Sequence, residues 1–536
     1  MRDLCALTFT LRPMALALSL AISPLAAFAA EPSQEAKALL TSKCAACHLP
    51  VANGMNRIDQ SRRTPEGWDM TIGRMVAAHG VRLTPGERQT LVKYLADNHG
   101  LAPEETQGRR YILERDFTRV EVPDDKRVAE TCARCHSYAR IALQRRTPED
   151  WQKLTNFHVG QYPTIEIQQG GRDRNWWDIA SGEMPKTLGS RYPYQSEIWN
   201  RWQAAQKASA AGQWRVVGHR PGWGSYEGMA TITGENDRYT LSMHINYANG
   251  KVETAEGNAI VYTGYEWRGN VKQGELQVAQ VFELSGDGKR LSGRWHEVGV
   301  DSIGGQFTAV RLDGDSTAQV LAVEPSAIKA GTTREVTLYG THLNGGVQLG
   351  NGLSVKRVVS ASADKVVVEI AAHASASDGM RSVEIGAAHG GAGLAVYRKI
   401  DFLSIEPDAA MARVGGNGGP LPKVPVQFEA VAYANGPDGK PGTDDDLRLG
   451  YMSATWSIAN LNANAAEMED LKFAGNLEPG GLFIPGDAGP NPKRKYSTNN
   501  AGELEVTAQV DDGGREVKAT KPLIVTVQRW NDPPIR

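Results

Sequence analysis

Cys44-Ala45-Ala46-Cys47-His48 and Cys132-Ala133-Arg134-Cys135-His136 decide how the first third of this 536-residue chain folds. In a C-x-x-C-H segment the two thiols form thioethers to the vinyl groups of a haem, and the adjacent imidazole becomes the proximal iron ligand. Structural zinc is the rival use of such cysteines, and it needs four ligands to close a site. Here the two segments consume four of the five cysteines, and Cys5 lies far upstream in the N-terminal stretch. The pattern therefore predicts two covalently bound haems c, attached through Cys44, Cys47 and Cys132, Cys135, with His48 and His136 as proximal ligands.

A tandem repeat extends outward from these segments. Arg62-Arg63-Thr64-Pro65-Glu66-Gly67-Trp68 recurs as Arg145-Arg146-Thr147-Pro148-Glu149-Asp150-Trp151. Each threonine precedes a proline suited to the first helical position, a start signal also seen at Thr84-Pro85. Seven residues after each tryptophan stands a side chain able to bind iron, Met75 in one unit and His158 in the other. Two helical turns separate tryptophan and ligand, so both share one face. The repeat thus assigns His48 and Met75 to haem 1, and His136 and His158 to haem 2. The rivals are His79, four residues beyond Met75, and Met184 in Gly182-Glu183-Met184-Pro185. Thioether ligation raises a haem potential relative to two imidazoles, which makes haem 1 the higher-potential centre.

The N-terminus explains how haem c becomes possible. Arg2 and Arg12 flank the start, Met14–Leu25 is apolar, and Ala27-Phe28-Ala29 offers the small residues of a cleavage site. This reads as a signal peptide over residues 1–29, implying export to a bacterial periplasm. The run falls short of the roughly 20 apolar residues a spanning helix needs, so no membrane span is expected. The four remaining cysteines are all occupied, leaving none for disulfides. A formal net charge of −2 without a long basic block argues against nucleic acid as a partner.

Helical patterning covers Ser33–Ser42, Pro65–Ala78, Pro85–His99 and Gln195–Ala208, and the character changes after Trp214. Tyr239, Leu241, Met243 and Ile245 alternate with polar residues, as do Leu504, Val506, Ala508 and Val510, the period of half-buried strands. Turn signals such as Gly234-Glu235-Asn236-Asp237 and Ser285-Gly286-Asp287-Gly288 recur between them. Breaks near Asp313–Thr317 and Leu403–Pro407 divide this region into three. The expected architecture is multidomain: a signal peptide at 1–29, an α-helical dihaem cytochrome c domain at 30–211, and three all-β domains. The β domains are one barrel-like unit at 212–315 and two immunoglobulin-like sandwiches at 316–403 and 404–536, although alternation alone does not separate barrel from sandwich. Val323-Glu324-Pro325 followed by Ala330-Gly331 resembles the immunoglobulin-like domain of the transcription-factor/plexin type. Asp438, Asp444, Asp445 and Asp446 lie among glycines in a loop with a composition suited to calcium, or to a solvated turn.

The two C-x-x-C-H units, each followed by Arg-Arg-Thr-Pro-Glu-x-Trp, and the order of one dihaem domain before three β domains resemble the α subunit of quinohemoprotein amine dehydrogenase. That resemblance covers essentially the whole chain after the signal peptide. It implies a heterotrimer whose small γ subunit carries a cysteine tryptophylquinone and whose β subunit is a propeller. Primary amines would be oxidised to aldehydes and ammonia at the partner's quinone, with electrons leaving one at a time through the haems to a periplasmic azurin or cytochrome c. A cysteine-linked quinone needs a thiol that this chain lacks, so no catalytic residue is assigned to it.

Two other readings compete. A self-sufficient dihaem peroxidase needs one iron with an open or displaceable position, which a candidate ligand in both repeat units opposes. A plain dihaem electron shuttle would use the β domains only for docking.

Overall fold

The computed structural model describes residues 32–51, 54–167, 173–313, 317–419 and 421–527. The segment 1–29 read as a signal peptide, Met14–Leu25 and Cys5 included, lies outside the described residues.

The front of the chain is helical where the start signals stand. Thr64, Thr84 and Thr147 each accept a backbone N–H three residues on, from Gly67, Glu87 and Asp150. The helices they open are Pro65–His79, Pro85–Asn98 and Pro148–Gln161. Two expected helices differ in extent. Pro32–Leu39 continues as a wider π turn over Leu40–Cys44, and the last helix is Glu197–Ala204, capped by Ser196 rather than running to Ala208.

Between the helices lies a short two-stranded sheet. Ser61–Arg63 pairs antiparallel with Gln144–Arg146, in the register Ser61↔Arg146, Arg62↔Arg145, Arg63↔Gln144. Each residue thus faces the counterpart of its own mirror position in the repeat, so the two units are joined about a local two-fold centred on Arg62 and Arg145. Glu105 sits at that centre, bound by Arg62 at 2.6 and 2.8 Å and by Arg145 at 3.1 Å. All three side chains are buried. The symmetry continues outward: Arg63 lies over Trp68 at 5.1 Å and Arg146 over Trp151 at 5.5 Å.

The middle of the chain is a closed eight-stranded barrel, from Gly212–Arg220 to Val300–Arg311, with each strand beside its sequence neighbours and the last pairing with the first. Alternation sets it up. Tyr239, Leu241, Met243 and Ile245 point inward and are buried, while Thr240, Ser242 and His244 face out. Asn236 and Asp237 turn the hairpin before them, both with positive φ, as a two-residue turn requires. Trp214, Trp267, Trp295 and Phe282 fill the interior, so the barrel is a packed core rather than a channel.

Two sandwiches follow. The first packs a five-stranded sheet, built on Gln319–Glu324, Thr333–Thr341 and Lys365–Ala372, against a four-stranded one around Val336, Leu338, Ile370 and Val396. The second buries Phe428, Ala432, Val506 and Leu523 between its sheets. Phe402–Glu406, where the sequence placed a boundary, pairs with Glu429–Ala434 and so begins this last sandwich. No helix among the described residues is long and apolar enough to cross a membrane.

The barrel also holds the helical region. Tyr262 packs into the same core as Leu40, Trp68 and Leu91. Glu66, in the first turn of the helix bearing Met75, meets Arg268 of the barrel at 2.5 Å. Arg268 and Arg110 then share the buried Glu266 at 2.7 and 2.6 Å.

Candidate haem centres

Both C-x-x-C-H segments are tight turns at helix ends. Cys44 closes the first, and its carbonyl accepts N–H from Cys47 at 3.1 Å and from His48 at 2.9 Å, folding thiols and imidazole about one point. Cys132 ends the helix Lys126–Cys132, whose start Asp125 caps through Val128 N–H. His48 Nδ1 stands 3.0 Å from Asn56 O, and His136 Nδ1 stands 3.1 Å from Ser137 O. A carbonyl accepts only from N–H, so each ring carries its proton on Nδ1 and keeps the Nε2 lone pair for a metal.

His158 has the same arrangement. Its Nδ1 meets Leu154 O at 2.7 Å, four residues back in the capped helix. The His136 and His158 rings lie with centroids 6.5 Å apart and planes tilted by 44°. Two metal–nitrogen bonds of about 2 Å and the ring dimensions set the same spacing for an iron held between two imidazoles, near 6 Å. The residues present therefore fit a bis-imidazole haem.

Family models cover almost all of the described chain. The haem-binding model of the quinohemoprotein amine dehydrogenase alpha subunit matches residues 34–199, domain II matches 207–312, domain III 317–398 and domain IV 403–535. The chain belongs to this alpha-subunit family. As an alpha subunit it is part of an amine dehydrogenase, an oxidoreductase assembled from several subunits, and it binds haem. No curated protein matches. Solved structures resemble it only weakly. They include EF1p2_mFAP2b bound to DFHBI (12% identity, 19% of this chain and 90% of that one, TM-score 0.16). The Yersinia pseudotuberculosis adhesin InvE is 11% identical over 38% of this chain and 57% of its own, with a TM-score of 0.13. Drosophila N-cadherin EC1-4 is 8% identical over 60% and 94%, with a TM-score of 0.14. Scores this low carry no inference.

The electrostatics of this alpha subunit favour coordination over thiol chemistry. Burial, and then Arg140, hold His136 down to about 4, and burial also lowers His158, so both rings are neutral, the form that binds iron. Burial pushes the Cys132 thiol up to about 12, with Asp125 adding to it, and raises Cys44 and Cys135. Such thiols are poor nucleophiles for disulfide exchange, and none of the four is in a disulfide.

The predicted ligands separate by environment. Met75 is half-buried on the helix two turns beyond Trp68. His79 is exposed in the last turn of that helix. Met184 is 1% exposed, packed with Val128, Tyr138, Trp151 and Leu188. In the acidic loop, Asp446 accepts from Gly436, Gly442 and Thr443 N–H, Asp445 from Asp438 N–H, and Asp438 from Lys440 N–H. Those carboxylates hold their own turn together. Sequence reasoning missed Glu105 and the roles of Arg63 and Arg146. The doubled Arg-Arg pair was the signal for the two arginines, and nothing in the sequence pointed to Glu105.

Proposed function

We propose that this chain is the dihaem electron-transfer subunit of a periplasmic amine dehydrogenase. In this reading it carries two haems c, joined to Cys44 and Cys47 and to Cys132 and Cys135. His48 and Met75 are the axial pair of haem 1, and His136 and His158 that of haem 2. The 6.5 Å approach of the His136 and His158 rings carries the assignment, because it brings together candidate iron ligands from the second C-x-x-C-H loop and from the helix Pro148–Gln161.

Bound haem supplies reversible one-electron chemistry at iron. The chain's own residues fix the ligands. Asn56 O, Ser137 O and Leu154 O hold three Nδ1 protons and aim three Nε2 lone pairs. Thr64 and Thr147 cap the helices that present Met75 and His158. Glu105, gripping Arg62 and Arg145, ties the two units so that neither shifts against the other. This fixing of the ligands suits a relay: with two side chains offered to each iron, bound haem would pass electrons rather than take up substrate.

Amine oxidation itself belongs, on this reading, to a cysteine tryptophylquinone in a small partner subunit, with a propeller as the third chain. A primary amine and water give aldehyde, ammonia, two protons and two electrons; the protons are released to solvent, and the electrons leave singly through this chain to an azurin or cytochrome c. The three β domains offer surface for holding the partners, and a stable contact of this kind buries more than about 2,000 Å². The Met14–Leu25 run and Ala27-Phe28-Ala29 support export to the periplasm.

Mass spectrometry of the denatured chain tests the cofactor content directly. Two haem additions are the expected result, falling to one in Cys132→Ala/Cys135→Ala. A chain with one haem or none contradicts the reading.

A further inference from the structure

Four guanidiniums gather where the two repeat units meet, with too few carboxylates to balance them. Arg146 pairs with the buried Asp150. Arg63, only 8% exposed, reaches Thr71 Oγ1 and, at 3.4 Å, Ser61 Oγ. Arg74 donates to Thr71 Oγ1 at 3.2 Å and lies 5.2 Å over the ring of Phe157, beside His158. Arg140, four residues after His136, reaches Met70 Sδ at 2.9 Å. Among the described residues, Arg63, Arg74 and Arg140 make no ion pair. Arg63 and Arg74 converge on the same hydroxyl, Thr71 Oγ1, which sets two like charges side by side.

A second observation points to the same place. Trp151, 3% exposed and under Arg146, has an indole N–H with no acceptor among the described residues. Its counterpart Trp68 donates to His99 O at 2.9 Å. A buried donor without an acceptor is costly, and so is a buried cation such as Arg63 without an anion. Trp151 also stands two helical turns, about 10 Å, before His158 on the same face. That is comparable with the reach of a haem carboxylate from its iron.

We infer that this cluster anchors the propionate carboxylates of haem 2, with Trp151 Nε1 donating to one of them and Arg74 and Arg140 neutralising the pair. The inference rests on the dihaem reading above and deepens it. Trp151 then has the acceptor that its counterpart Trp68 finds in His99 O.

Resonance Raman spectroscopy of the purified haem-loaded complex tests it, through the propionate-bending bands. Haem content is measured first, so loss of the dihaem reading shows separately as a missing haem addition. With two haems present, Trp151→Phe should shift one propionate band downward while the low-spin marker bands stay in place. Arg140→Gln, at an exposed position, gives a second variant that does not depend on the core, and Arg140→Lys should restore part of its shift. Bands unmoved in both Trp151→Phe and Arg140→Gln would overturn the inference. So would a wild-type propionate region that changes on adding inorganic phosphate, which would assign the cluster to a free anion.

Discussion

The His136 and His158 rings stand 6.5 Å apart, one at the end of a C-x-x-C-H segment and the other in the last turn of the helix that Thr147 caps. If iron lies between them, removing the second ring opens its coordination. His158→Ala should give a high-spin ferric spectrum for one haem and allow carbon monoxide to bind the ferrous form. Met184→Leu, a volume-conserving change in a packed core, should leave both spectra low-spin and cost less than about 1.5 kcal/mol. The reverse pattern would make Met184 the ligand.

Haem 1 carries the complementary prediction. Thioether ligation favours ferrous iron, so Met75→His should lower the upper of the two midpoint potentials in a redox titration. His79→Ala, at an exposed position in the same helix, should leave both midpoints in place. An unchanged upper midpoint in Met75→His removes that side chain from the iron.

Glu105 is the one carboxylate shared by Arg62 and Arg145 at the local two-fold. Glu105→Gln leaves two guanidiniums buried against a neutral amide, and denaturant titration should show a loss of about 3–5 kcal/mol. A loss under 1 kcal/mol would mean that the two repeat units are held chiefly by other contacts.

The capped helices and the inward alternation of the barrel strands were legible in the residues, because each is a local rule with a local signature. Thr64, Thr84 and Thr147 all cap as read. The joining of the units was not legible. Its strands are three residues long and carry arginines, with no apolar period to mark them. Glu105 lies in a four-residue helix far from either repeat in sequence. Barrel closure was a further limit, since Gly212–Arg220 and Val300–Arg311 pair across the whole domain and alternation looks alike in a barrel and a sandwich. Domain edges blurred for a similar reason: Phe402–Glu406 ends in the turn signal that drew the boundary, yet pairs with strands after it.

Acid should weaken the contact between the helical region and the barrel. Arg110 and Arg268 outweigh the burial of Glu266 and hold its carboxyl down to about 2, against an ordinary 4.5. A depressed carboxylate contributes its full stability above the unfolded value and loses it as pH falls through the folded one. Wild-type stability should therefore decline between about pH 4.5 and 2, and Glu266→Gln should lie below it at neutral pH, with the gap closing across that window. A constant gap down to pH 2 would take Glu266 out of the acid response.

The relay claim is tested most directly by mixing a primary amine anaerobically with the oxidised complex and recording the haem α-bands in a stopped-flow spectrometer. The account predicts that both haems of this subunit become reduced when the partner subunits are present, while the purified haem-loaded chain alone stays oxidised. Reduction of the isolated chain by amine, or haems that remain oxidised while the complex turns over, would contradict it.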